Sequence, residues 1–241
     1  MRLSDLMPVI TATWPAAAHH ENGPFTLPQG VDGGQRVSAA RLRDPLAQDA
    51  TEAEIDAAIA GLAALGQPPL FMLLDHQGAL DARLAARGFV LRDATCAMIV
   101  PSAQIAAPPP PITCFPIWPP LAIQSEIWAT GGVGPGRLSV MTRASAPKTS
   151  FLGRTQDRPA GTAFAAIHDG VAMLHALEIL SAHRRRGLGA AMMRAAADWA
   201  LDQGAATFSL LVTRENEPAL GLYASLGFTA VGQYHYRAKA V

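Results

Sequence analysis

The 241-residue chain is poor in cysteine and in charge. Its two cysteines, Cys96 and Cys114, form no CxxC and no Cys/His spacing suited to a metal. This argues against a disulfide-stapled scaffold or a zinc ribbon and leaves two reduced, buried thiols. Charged residues make up 16% of the chain and sum to zero, so there is no global electrostatic case for nucleic acid or an anionic membrane. No apolar run approaches the ~20 residues needed to span a bilayer. The opening MRLSDLMPVITATWP lacks the apolar centre and cleavage site of a secretory signal. The expectation is a soluble, cytoplasmic protein with no metal.

Hydrophobic residues, in contrast, make up half of the chain. That suffices for a large core, and the length suits two domains of roughly 100–150 residues each. Residues 101–120 hold eight prolines, four of them consecutive from Pro108 to Pro111. Such a run lacks amide donors and is stiff and extended, so it fits neither a helix interior nor a central strand. It divides the chain into an N-terminal unit, 1–104, a linker, 105–111, and a C-terminal unit, 112–241.

In the C-terminal unit, AIQSEIWATGG and GPGRLSVMTRAS read as two short helices ended by glycines. Strands follow at about 150–156, 161–168 and 171–180. RRGLGAAMMRAAADWALDQG is a helix favoured by Ala and Met and ended by Gly204. ATFSLLVTREN suits a buried strand, PALGLYASLGF a short helix with Pro218 in its first turn, and TAVGQYHYRA a last strand. The N-terminal unit repeats part of this order. A hairpin is expected to turn at Asp32-Gly33-Gly34, and a helix to start at Thr51 with Glu54 completing a capping box. The strand LFMLLD, the helix GALDARLAARGF and the strand VLRDATCAMIV follow. LAARGF (84–89) matches YASLGF (223–228), each a short helix closed by Gly-Phe before a strand. The unit reads as a degenerate copy of the other, and the fold class as α/β with a mixed sheet.

The densest cationic spot is Arg184-Arg185-Arg186-Gly187-Leu188-Gly189-Ala190, directly before the long Ala-rich helix. A helix start offers unpaired backbone N–H groups and the positive end of the dipole, a setting for phosphate. The glycines admit an anion close to the backbone, and the arginines add charge-assisted hydrogen bonds. The loop is neither G-x-x-x-x-G-K-[ST] nor G-x-G-x-x-G, which disfavours Walker and Rossmann sites. A second block follows: Asn216, Ala219, Tyr223, Gly227 and Phe228. The loop fits [Arg/Gln]-x-x-Gly-x-[Gly/Ala] and the second block fits Asn-x-x-Ala-x-x-x-Tyr-x-x-x-Gly-Phe. In this order the pair resembles the GNAT superfamily of N-acetyltransferases.

The resemblance implies a mixed, mostly antiparallel sheet flanked by helices, with two GNAT-like units in tandem. It implies acetyl-CoA as cosubstrate. Its pyrophosphate would lie on the amides around Arg184, Arg185, Arg186, Gly187, Leu188, Gly189 and Ala190. Its pantetheine arm would bond the backbone of Ile179 and Leu180, with Asn216 and Ala219 on the far side. An amine would attack the thioester directly, and Tyr223 would protonate the leaving thiolate. For the base, the resemblance favours Glu178. Strand alternation sets Glu178 and His175 on opposite faces unless a bulge intervenes, and solvent alone could also remove the proton. The N-terminal unit lacks the arginine loop, and Leu84 stands where Tyr223 stands, so it should shape the acceptor cleft or support the catalytic half. The acceptor class is a primary amine of a small molecule or an amino acid. Trp14, Trp118 and Trp128 fall in segments that would cover it, or else pack the core. The other reading is a non-catalytic CoA- or acyl-CoA-binding sensor. The terminal YHYRAKAV is a candidate strand for pairing with a second copy as a homodimer.

Overall fold

The computed structural model describes residues 1–239. In chain order the N-terminal unit comprises α1 (Leu3–Thr13), β1 (Ala18–Asn22), β2 (Phe25–Gln29), β3 (Arg41–Leu42), α2 (Glu52–Ala64), β4 (Leu70–Leu74), α3 (Gly78–Ala86) and β5 (Phe89–Pro101). A four-residue helix, α4 (Ser102–Ile105), follows before the proline run. The C-terminal unit comprises β6 (Cys114–Ile117), α5 (Ala122–Thr130), α6 (Pro135–Arg143), β7 (Lys148–Thr155), β8 (Arg158–His168), β9 (Val171–Ile179), α7 (Leu188–Asp202), β10 (Thr207–Thr213), α8 (Glu217–Ser225) and β11 (Thr229–Lys239).

Local chemistry sets most of these boundaries. The Thr51 hydroxyl and the Glu54 carboxylate cap α2 reciprocally. Helix α7 buries one stripe, including Leu188, Met192, Met193, Ala196 and Ala200, and Gly204 ends it at φ +82°. The repeated Gly-Phe has one cause in both units. Gly88 and Gly227 take φ +77° and +86° just past α3 and α8, where a side chain would be strained, and Phe89 and Phe228 then enter the core.

The hairpin expected through Asp32-Gly33-Gly34 is formed: β2 pairs antiparallel with β3, Phe25 opposite Leu42. β1 and β2 are joined by a tight turn at Gly23, whereas the connection from β2 to β3, residues 30–40, is a wide loop with a 3₁₀ turn at Gln35–Val37. The reason is tertiary: Gly33 is pressed onto α6, where a Cβ would lie 2.6 Å from Val140 Cγ2.

The strands β4 to β11 form one sheet in the order β4-β11-β5-β10-β9-β8-β7-β6. Only β9 and β10 are parallel; the other neighbours are antiparallel. Proline-containing β6 lies at an edge, where its missing donor costs no ladder bond. The two units exchange strands. β5 of the first unit pairs with β10 of the second, and β11 of the second pairs with β4 of the first. The corresponding pieces β4-α3-β5 and β10-α8-β11 thus complete each other, as expected of two copies of one plan. β11 is covered on both sides, by β4 and β5, so it has no free edge for a second copy. The last two residues of YHYRAKAV, Ala240 and Val241, lie outside the described residues.

A polar lock holds the exchange. Asp81 on α3 accepts from Arg237 Nε at 2.7 Å and Nη2 at 2.8 Å, and lies 2.6 Å from His235 Nε2. The Arg237 hydrogen bonds hold the Asp81 carboxyl below its usual range. Its folded-state value being depressed, the stabilisation is present above the ordinary carboxylate pKa and fades as pH falls through the folded one. Asp81→Asn should cost about 1.5–3 kcal/mol at pH 7, and less at pH 3. Urea denaturation at both pH values checks this; an equal loss at both would refute it.

Candidate active site

β9 and β10 pair only from Val171–Thr207 to Leu174–Leu210, then separate. A cavity of about 470 Å³ opens between them, walled by Leu174–Leu177 on one side and Leu210–Thr213 on the other. Asn216 and Tyr223 of α8 close one end. The N-terminal unit supplies much of the rest: Trp14 from α1, Gly33–Arg36 from the wide loop, and Asp93 and Thr95 from β5. Tyr234 and Tyr236 of β11 and Arg137 of α6 also line it.

A bulge in β9 changes the predicted alternation. Thr162 is opposite Glu178 and Phe164 opposite His175, so two steps on β8 match three on β9. Ala176 absorbs the extra residue at φ +50°. Partners across an antiparallel pair share a face, so His175 and Glu178 lie on the same face. Trp128, fully buried, donates from Nε1 to Ala176 O at 2.7 Å and so holds the bulge. Trp128 and Trp14 are thus core residues, Trp14 with an edge on the cavity.

His175 is buried and spent. Arg36 Nη1 lies 3.2 Å from its Nδ1 and Thr13 Oγ1 lies 3.0 Å from its Nε2. A guanidinium can only donate, so Nδ1 accepts and Nε2–H donates to Thr13, which passes its own proton to Val9 O. Desolvation, then the Arg36 charge, pushes the His175 pKa well below its usual value. The ring is neutral and fully bonded, a positioning group and not a base.

Glu178 does not line the cavity. Its carboxylate lies against Gly131 at the end of α5, where a Cβ would strike it, and it accepts from Arg184 Nη2 at 3.0 Å. Arg184 Nε also donates to Ile179 O at 2.8 Å, and the Leu180 amide donates to Ala160 O at 2.9 Å. Those two backbone groups, assigned to the pantetheine arm, are therefore already engaged. The Ala219 amide likewise donates to Asn216 Oδ1 at 3.2 Å, which leaves the Asn216 NH₂ for the cavity.

The arginine loop lies on the other side of α8. Gly187 caps α7 in the left-handed region at φ +80°, and no side chain caps the helix. Its flank is open, with no atom within 4 Å of the point a Cβ would occupy. Gly189 has a different role: a Cβ there would lie 3.3 Å from Leu222 Cδ2, so it lets α7 and α8 approach. Arg185, Gly187, Gly189 and Ala190 face Gly221 and Leu222 across a groove. Arg186 reaches Gln156 Oε1 at 3.1 Å, and Leu188 is buried beneath the loop. α8 therefore presents Gly221 and Leu222 to the groove and Asn216 and Tyr223 to the cavity. A diphosphate fits this cradle: uncapped amides, an open flank and Arg185 on its wall. Gly187→Val should raise the KM for a diphosphate-bearing cosubstrate by about tenfold or more, because the strain of a β-branched residue at this φ is of order 1–3 kcal/mol. Steady-state kinetics would check it, and an unchanged KM would remove the loop from the site.

Tyr223 is buried, 5.7 Å ring to ring from Phe228, and burial pushes its phenol up to about 12. It is protonated at neutral pH. Sequence reasoning missed Arg36, Arg137, Asp93, Tyr234 and Tyr236. They reach the cavity from four separate elements, and no short-range pattern joins them. Among the described residues no group of three His, Cys, Asp or Glu could hold a metal ion, and no helix is long and apolar enough to cross a membrane.

Comparison with known proteins bears on this arrangement. Residues 118–228 match the family described as Acetyltransferase (GNAT) family. The chain is similar to the uncharacterized N-acetyltransferase YobR of Bacillus subtilis, 31% identical over 106 residues, which is 43% of this chain and 42% of that protein. It is also similar to the streptothricin acetyltransferase of Streptomyces lavendulae, 41% identical over 56 residues, 23% of this chain and 30% of that one. The matched stretch thus spans less than half of either relative. Among solved structures, a GCN5-related N-acetyltransferase from Kribbella flavida superposes with a TM-score of 0.74 at 20% identity, covering 99% of this chain and 95% of that one. A tandem GNAT protein from the clavulanic acid biosynthesis pathway superposes with a TM-score of 0.60 at 14% identity, covering 95% and 86%. At these identities the two structures speak to the fold: a mixed sheet, mostly antiparallel, with two such units in tandem.

Proposed function

From the match of residues 118–228 to the acetyltransferase (GNAT) family, we propose that the chain moves the acetyl group of acetyl-CoA to a small primary amine by direct attack. One observation carries the reading: α8 places an uncommitted buried phenol in the cavity between the parting strands, and its other side walls the amide-rich start of α7. Acetyl-CoA supplies the acetyl group and the thiol that leaves. The amides of Leu188, Gly189 and Ala190, with Arg185, hold its diphosphate. The Asn216 NH₂ and the unpaired edge of β9 at Ala176 and Leu177 orient the arm in the opening.

Tyr223 donates its proton to the departing sulfur. The amine proton leaves through water to Glu178, which the bulge keeps on the face of His175, once Arg184 turns from the carboxylate to the phosphates. His175 stays neutral and fixes Arg36. The test is thiol release from acetyl-CoA with a panel of primary amines. Amine-dependent release is expected. Tight binding of acetyl-CoA with no release under any amine would favour the non-catalytic sensor.

A further inference from the structure

The proposed acceptor end of the cavity is charged in an unusual way. Two guanidiniums, Arg36 and Arg137, and one carboxylate, Asp93, line it. Among the described residues neither arginine has a carboxylate within 4 Å, and Asp93 pairs with neither. Both arginines line this one cavity with Gly33 and Gly34, and Arg137 lies over Gly34, where a Cβ would be 3.2 Å from its Nε.

Arg36 is fixed in place before any ligand arrives. Its Nη1 is spent on His175, its Cζ lies 5.8 Å from the Trp14 ring centre, and its Nε is buried with no partner. A buried cation is costly unless an anion lies against it, and Arg36 is the cation that lines the cavity. His175 is neutral, and burial pushes the Tyr236 phenol beside Arg36 well above its usual value. The protein supplies the fork but not the carboxylate.

We propose that Arg36 and Arg137 form a carboxylate subsite, so that the acceptor is an amine that also carries a carboxylate. This rests on the reading of the cavity as an acetyl-acceptor site. A guanidinium matches carboxylate and phosphate in geometry. The cavity wall's net charge of about one positive fits a carboxylate better than a phosphate of ≈ −1.5 to −2.

The experiment compares amines of one skeleton bearing a carboxylate, a carboxamide, a phosphonate or only hydrogen at the same position. The readout is kcat/KM for acetyl transfer. The carboxylate member should exceed the others by about 10- to 100-fold, the range for charge-assisted hydrogen bonds, with the effect mainly in KM. Arg137→Gln, at an exposed position that folding tolerates, should cut that preference about tenfold without moving the KM for acetyl-CoA. Arg137→Lys should restore part of it. Equal or better transfer to the carboxamide, phosphonate or decarboxylated member overturns the subsite while leaving acetyl transfer intact. If no amine releases thiol, the functional reading fails. Calorimetry of the CoA-saturated protein with N-acetylated acids and their amides then decides the subsite alone. Acid-selective binding weakened by Arg137→Gln supports it, and no selectivity overturns it.

Discussion

Tyr223→Phe is expected to lower kcat by about 10²–10⁴-fold while the KM for acetyl-CoA stays near the wild-type value. The phenylalanine keeps the ring that packs on Phe228 and removes only the hydroxyl. An interaction made in the transition state and absent from the ground state lowers kcat without weakening cosubstrate binding. The shifted phenol bears on this role. With burial raising Tyr223 to about 12, donation to a thiolate of ordinary basicity, pKa about 8.5, would be uphill. A thiolate held against the same buried wall would also be partly desolvated, raising its basicity and narrowing the mismatch. Stopped-flow thiol release separates chemistry from binding. A variant turning over at the wild-type rate would remove Tyr223 from the acid role and leave it a wall residue.

Trp128→Ala should be the most destabilising single change, at about 3–5 kcal/mol for a buried aromatic. That is a large share of the 5–15 kcal/mol by which domains are typically stable. The indole fills the core beneath β9 and satisfies the Ala176 carbonyl. Removing it opens a cavity and leaves a buried acceptor without its donor. Trp128→Phe separates the two effects, because the packing largely remains and the hydrogen bond does not. It should cost about 1–3 kcal/mol and also reduce turnover, since the bulge orients both the cavity edge at Leu177 and Glu178. Urea denaturation with parallel kinetics tests both variants. A Trp128→Ala loss below about 1 kcal/mol would show that the bulge holds without the indole.

The exchange of β5 and β11 gives the degenerate unit a concrete role. The N-terminal unit has no arginine loop, and fully buried Leu84 stands where the other has Tyr223. Yet its α1, its wide loop and β5 build the cavity wall opposite β9. The C-terminal unit by itself would have β10 exposed along its β5 side. The two units therefore form one sheet, and the candidate site belongs to both.

What the amino-acid sequence determined by itself is local. Thr51 and Glu54 cap α2, Gly88 and Gly227 stop two helices, and Gly187 starts α7 in a conformation that glycine favours. The two motifs marked the open, uncapped start of α7 and the phenol that lines the cavity. Each of these signals acts over a few residues through backbone conformation or a nearby hydrogen bond, so it is readable in the string. Tertiary structure alone decided which strand follows which in the sheet. It also placed the bulge at Ala176 that turned Glu178 onto the face of His175, and widened the connection between β2 and β3 so that it packs on α6. Arg36, Asp93, Arg137 and Tyr236 meet only there. Those choices depend on register and burial between segments up to about 160 residues apart, as in the contact of Thr13 with His175, and no periodicity within one segment encodes them.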